Sequence, residues 1–156
     1  MKETAGITPA QTGLDGVAWN ILGQVYVPKQ ITDDSFSWHA TFPEETFVPP
    51  HLHVGQDEYI FVIEGRIDLL LGDQRTSAGP GDLVRMPQGL PHAFYNNSGR
   101  VTTALFWATP TRRLVELYRR LHNLSSPAEV VEVARDYGIH FGPPVSSARP
   151  GAAVAG

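Results

Sequence analysis

Between Asn20 and Thr109 the chain is cut into short β-prone runs by turn residues, and this punctuation narrows the choice of fold more than any other feature. The runs ILGQVYV, DSFSWHATF, DEYIFVIEG, RIDLLLG, DLVRMP, HAFYNN and VTTALFWAT are rich in β-branched and aromatic side chains. Gly72-Asp73, Gly79-Pro80-Gly81, Gly89 and Asn97-Ser98-Gly99 supply turn chemistry between them. Many short strands at regular spacing predict an all-β sandwich or small barrel rather than βαβ units.

The pattern changes after Pro110. Leu114, Leu117, Tyr118 and Leu121 recur at helical spacing and form one apolar stripe. In SSPAE, Ser126 is placed as an N-cap, Pro127 at the first helical position and Glu129 to close a capping box, with Gly138 ending the helix. The expected organisation is therefore a flexible N-terminus over 1–15, a β domain over 16–110, a helical appendage over 111–140 and a flexible Pro/Gly-rich tail over 141–156. The two helices are expected to pack on the outside of the barrel as a structural cover for one sheet.

A length of 156 residues allows one domain with a real core. The net charge of −4 and the lack of a basic stripe argue against a nucleic-acid partner. Arg112, Arg113, Arg119 and Arg120 lie on the expected helix beside Glu116 and read as a solvated face. There is no cysteine, which excludes disulfides and thiolate metal sites. Neither a signal peptide nor a membrane span is apparent, so a cytoplasmic location without membrane contact is expected.

The chemistry concentrates in PPHLHVGQDEYIFVIEG, Pro49 to Gly65. On a strand alternate side chains share a face, so His51 and His53 project together and can reach one metal ion. Glu58 follows a short loop and shares its face with Ile60 and Val62, which read as inward. A barrel that sets these strands side by side gathers two imidazoles and a carboxylate. His92, just after the turn shaped by Pro87, Gly89 and Pro91, is the best candidate for a fourth ligand. His39 is a weaker one, and His122 and His140 read as surface residues.

From His51 the text runs H-x-H, four residues, Glu58, six residues, Gly65. After fifteen more come Gly81, five residues, Pro87-x-Gly89, two residues, His92, three residues and Asn96. This resembles the two signature motifs of the cupin superfamily over roughly residues 20 to 110. The resemblance implies a double-stranded β-helix, a jelly-roll barrel, with His51, His53, Glu58 and His92 binding one divalent metal at its mouth. It departs from the family pattern at Glu45, where a glycine is usual. Gly65, Gly81 and Asn96 read as structural, Asn96 bracing a turn.

Three imidazoles and a carboxylate suit Fe, Ni, Mn, Co, Cu or Zn and disfavour Mg and Ca. Strand parity nominates Tyr26, Phe36, Trp38, Ile60, Phe94 and Trp107 as pocket lining, an aromatic and aliphatic wall suited to a flat organic ligand. The C-terminal text, with ATP, RRLVELYRRL and EVVEVARDYGIHFGPP, is similar to small bacterial quercetinase-type cupins. That resemblance implies a metal-dependent dioxygenase acting on a phenolic, flavonol-like or enolisable aromatic substrate with dioxygen. Glu58 is the only carboxylate placed to take the substrate's proton in catalysis, either as a ligand that detaches or as a base beside the metal. The alternatives are a non-redox cyclase, isomerase or lyase of natural-product biosynthesis, and a ligand-binding cupin without catalysis. Fold-level analogy adds a homodimer paired through residues 17 to 31.

Overall fold

The computed structural model describes residues 4–142. Ten strands precede the helices: β1 (Trp19–Ile21), β2 (Gln24–Ile31), β3 (Phe36–Phe42), β4 (Phe47–His53), β5 (Asp57–Glu64), β6 (Ile67–Leu71), β7 (Gln74–Ala78), β8 (Leu83–Met86), β9 (His92–Tyr95) and β10 (Thr102–Thr109). Then come α1 (Leu114–Leu121), α2 (Pro127–Arg135) and a last strand, β11 (Ile139–Phe141). One sheet has the order β1-β2-β3-β10-β5-β8 and the other β11-β4-β9-β6-β7, with antiparallel pairing throughout. The two inner faces meet in a jelly-roll core, as the strand spacing predicts.

Alternation along the strands decides what fills that core. In β3 and β10 every second residue is buried, which sends Phe36, Trp38, Ala40, Phe42, Ala104, Phe106 and Ala108 inward. Trp38 stacks between Phe36 and Phe106 at centroid distances of 4.7 and 5.4 Å. Small alanines opposite large rings let the two sheets approach. ILGQVYV is a hairpin rather than one strand: Leu22 and Gly23 both take positive φ, 51° and 87°, the conformation that a tight two-residue loop requires. β7 has a polar text, QRTSA, and forms at the sheet edge by pairing with β6.

The N-terminal stretch lies along β2. The Lys29 Nζ donates to the carbonyls of Pro9, Ala10 and Thr12 at 2.6, 3.0 and 2.7 Å, and Thr8 Oγ1 donates to the Lys29 carbonyl. Of the tail expected over 141–156, Phe141 belongs to β11, and residues 143–156 lie outside the described residues.

Asn96 ties the barrel's far corner together. Its Nδ2 donates to the carbonyls of Phe42, Pro43 and Arg100, and its Oδ1 accepts from the Ser98 amide. Glu45, where the cupin pattern has a glycine, nevertheless adopts φ 65° and donates its amide to the Asn96 carbonyl. The backbone has kept a glycine-like turn with a glutamate in it, a conformation that costs an L-residue about 1–2 kcal/mol.

The helices are not an outer cover. Ser126 caps α2 through the Glu129 amide, as its sequence predicts, and α1 buries Leu114, Leu117, Tyr118 and Leu121. That stripe packs on the open end of the barrel: Tyr118 meets Trp19, Tyr26, Phe36 and Trp38 edge-on or tilted at 5.2–5.9 Å. The chain then returns as β11 beside β4, pairing Ile139 with His53 and Phe141 with His51. The physical reason is burial: an aromatic cluster at a barrel mouth would otherwise face water, and the apolar stripe of α1 covers it.

Candidate metal centre

A bulge in β4 sets the first two histidines. β4 pairs with β9 as Val48↔Phe94 and then His51↔His92, so three steps on one strand oppose two on the other. The extra residue falls at Pro49-Pro50, where two missing N–H donors would interrupt an unbroken ladder. The bulge turns His51 directly across from His92, with ring centroids 4.3 Å apart. His53 follows on the same face, 5.3 Å from His51 and 5.5 Å from His92. Glu58 enters from β5 in the other sheet, its Oε2 2.9 Å from His53 Nε2 and 3.4 Å from His92 Nε2. All four side chains are buried, and their ligand atoms lie within 4.8 Å of one another.

The rings are held in one tautomer. The Nδ1–H of His51 donates to the Pro49 carbonyl at 3.0 Å and that of His92 to the Leu90 carbonyl at 2.9 Å. His53 Nδ1 pairs with Gln56 Oε1 at 2.8 Å, while Gln56 Nε2 donates to the carbonyls of Pro110 and Thr111. Because the Gln56 amide spends its donors on those carbonyls, its oxygen must accept, so His53 carries its proton on Nδ1. Three Nε2 lone pairs are therefore turned toward a common point beside a carboxylate, the outer-shell arrangement that orients metal-binding imidazoles. His92 Nε2 and Glu58 Oε2 are buried without a hydrogen-bond donor or acceptor of their own. Buried polar atoms left this way fit a cation that satisfies them together. Phe141 of β11 stacks on His51 at 5.2 Å and 28°.

The electrostatics agree with a cation site. Burial lowers the pKa of His51 to about 3, with His92 and His53 adding to the effect. Burial opposes charge on Glu58, but His53 and His92 outweigh it and hold the carboxyl below its usual range. For His53 burial again opposes charge, and the Glu58 carboxylate more than offsets it, raising the pKa. One carboxylate among imidazoles is the partly compensated group that a divalent ion completes.

A cavity of about 750 Å³ opens on the group. His51, His53 and Glu58 reach its wall, whereas His92 does not. Of the six residues nominated for the pocket, Tyr26, Trp38 and Phe94 stand in the wall. Phe36 and Ile60 point inward but are wholly buried in the core and do not line the cavity. Trp107 is on the outer face, stacked on Tyr59 at 5.2 Å and 13°; its neighbour Phe106 is the inward aromatic. Two adjacent aromatics cannot both face in on a pleated strand, and the text alone does not set their phase. His39 is also on the outer face of its strand, and His122 and His140 are exposed, as read from the sequence. Sequence reasoning missed the half of the wall built by Leu114, Leu117, Tyr118, Leu121, Val130 and Ile139. The α1 stripe was visible as a signal; the surface it covers was not.

Residues 38–108 match the family model for the cupin domain. The chain carries a cupin domain. Among solved structures, the chain is similar to KdgF from a Halomonas species, with a TM-score of 0.60, 18% identity and coverage of 69% of this chain and 99% of that one. It is also similar to an RmlC-like cupin from Shewanella frigidimarina, with a TM-score of 0.63, 14% identity and coverage of 74% and 99%. A third is a sugar phosphate isomerase of the cupin superfamily from Silicibacter pomeroyi, with a TM-score of 0.53, 23% identity and coverage of 58% of this chain and 61% of that one. At these identities the likeness is one of fold. No curated protein matches the chain. Among the described residues, no helix is long and apolar enough to cross a membrane.

Proposed function

We propose that this cupin is a metal-dependent enzyme acting on a small aromatic or enolisable substrate, with dioxygenation as its reaction. The observation that carries the reading is that the group of three imidazoles and one carboxylate opens, through His51, His53 and Glu58, onto a largely apolar cavity whose wall, among the described residues, contains no lysine or arginine. A wall without cationic side chains offers nothing to balance a phosphate or dicarboxylate, which disfavours sugar phosphates. His51, His53, Glu58 and His92 would hold a divalent transition metal, one of Fe, Ni, Mn, Co, Cu or Zn. Such an ion supplies a Lewis-acidic position with room for an outside oxygen ligand and, if redox-active, a route for electrons from substrate to dioxygen.

The protein's own part follows from its residues. Trp38, Phe94, Phe106 and the α1 leucines bind flat apolar surface and exclude water. Glu58, the one carboxylate of the group, is the acceptor for the proton of an incoming phenol or enol hydroxyl. We also propose that two copies pair through residues 17 to 31, where β1 is the edge of its sheet.

Oxygen uptake with a flavonol and catechol panel, after reconstitution with each metal in turn, tests the reaction. Uptake above background, with both atoms of labelled dioxygen recovered in product, is expected for at least one redox-active metal. Background uptake with every metal overturns dioxygenation. Undiminished turnover under strict anaerobiosis would instead make this a non-redox cyclase, isomerase or lyase, and binding without turnover a ligand-binding cupin.

A further inference from the structure

Two tyrosines stand in the cavity wall, and their hydroxyls differ. Tyr26 donates to Gln24 Oε1 at 2.7 Å, and Gln24 Nε2 donates onward to the Phe47 carbonyl at 3.0 Å, so that hydroxyl is committed. The Tyr118 hydroxyl has no hydrogen-bond partner among the described residues, although the side chain is only 8% exposed. Among the described residues, the sealed polar atoms without a partner are Trp38 Nε1, His92 Nε2 and Glu58 Oε2 and do not include this hydroxyl, which therefore opens on the cavity and is free to donate there. Tyr118 cannot swing to a protein partner, because its ring is fixed by contacts with Trp19, Tyr26, Phe36 and Trp38. It lines the cavity that His51, His53 and Glu58 also line. Burial, reinforced by the charge of Glu58, keeps the phenol protonated and hence a donor.

We propose that Tyr118 is a substrate-positioning residue whose hydroxyl donates a hydrogen bond to a second oxygen of the substrate, one oxygen being directed to the His51–His53–Glu58–His92 group. The preferred substrate then carries two oxygen functions on an otherwise apolar frame. This rests on the metal-dependent reading above and extends it. It also gives the C-terminal helix a role in recognition: β strands supply the metal ligands and α1 supplies the group that selects among ligands. A site that offers a directed hydrogen bond discriminates strongly against analogues lacking the acceptor.

The test uses the full chain reconstituted with zinc, which is redox-silent, and two chromogenic probes, 4-nitrocatechol and 4-nitrophenol. Tyr118→Phe keeps the ring and its packing, so zinc content and Tm are expected to stay unchanged. The Kd for 4-nitrocatechol is expected to rise about tenfold or more, and that for 4-nitrophenol to stay within about twofold. Equal effects on the two probes, or none on either, overturn the role of Tyr118 alone. If zinc-loaded wild-type protein binds neither probe, the two-oxygen substrate class falls with it. Failure to load zinc at all overturns the metal-dependent reading itself.

Discussion

Alanine in place of His92 is expected to abolish stable metal binding and, with it, activity. His92 is 1% exposed, its Nδ1–H is tied to the Leu90 carbonyl, and its Nε2 makes no hydrogen bond and lies 3.4 Å from Glu58 Oε2. The substitution removes one of four ligand atoms and leaves a buried gap that the imidazoles of β4 cannot cross. Loss of an outer-shell partner alone costs about 10–100-fold in metal affinity, so loss of a ligand should exceed that range. Metal content after exhaustive dialysis measures it. His39→Ala, on the outer face of β3, is the control and should retain metal fully. An alanine variant at 92 that holds as much metal as wild type would remove His92 from the ligand set.

The second large effect is on the fold. Gly65, between β5 and β6, has φ 83°, and a Cβ placed there would come within 2.3 Å of Thr102 Oγ1 and 2.9 Å of Thr102 Cα. Thr102 is wholly buried and hydrogen-bonds the backbone of Arg66, so it has nowhere to retreat. Gly65→Ala is expected to cost about 3–5 kcal/mol, a large share of the roughly 5–15 kcal/mol that stabilises a domain. That corresponds to a fall in Tm of about 6–20 °C for a chain of this size. Gly81→Ala supplies the comparison, since Gly81 has a similar φ of 89° but no atom within 4 Å of the added Cβ. It should cost only about 1–2 kcal/mol of backbone strain. Equal losses in the two variants would show that the Thr102 contact is unimportant.

Much of this was legible in the text because it depends on period and spacing. The two-residue period placed His51 with His53 and Glu58 with Ile60, and the Pro/Gly turn before His92 was written out in full. What could not be read depends on phase or on partners. Phe106 and Trp107 are adjacent aromatics, and only pairing with Trp38 and Ile60 sends the first one inward. The bulge at Pro49-Pro50 shows as two prolines, yet its effect, His51 facing His92, exists only once β9 is beside it. The three residues of β11 carry too little pattern to announce a strand; pairing with β4 makes them one. The apolar stripe of α1 said that the helix covers something, and the structure shows that it covers the mouth of the cavity.

The central claim is that His51, His53, Glu58 and His92 form one metal site, and metal content of the purified full chain tests it most directly. Protein expressed without chelating tags or added metal should carry about one equivalent of Fe, Mn, Co, Ni, Cu or Zn per chain by plasma mass spectrometry. Less than about a tenth of an equivalent, persisting after reconstitution with each of these metals, would contradict it.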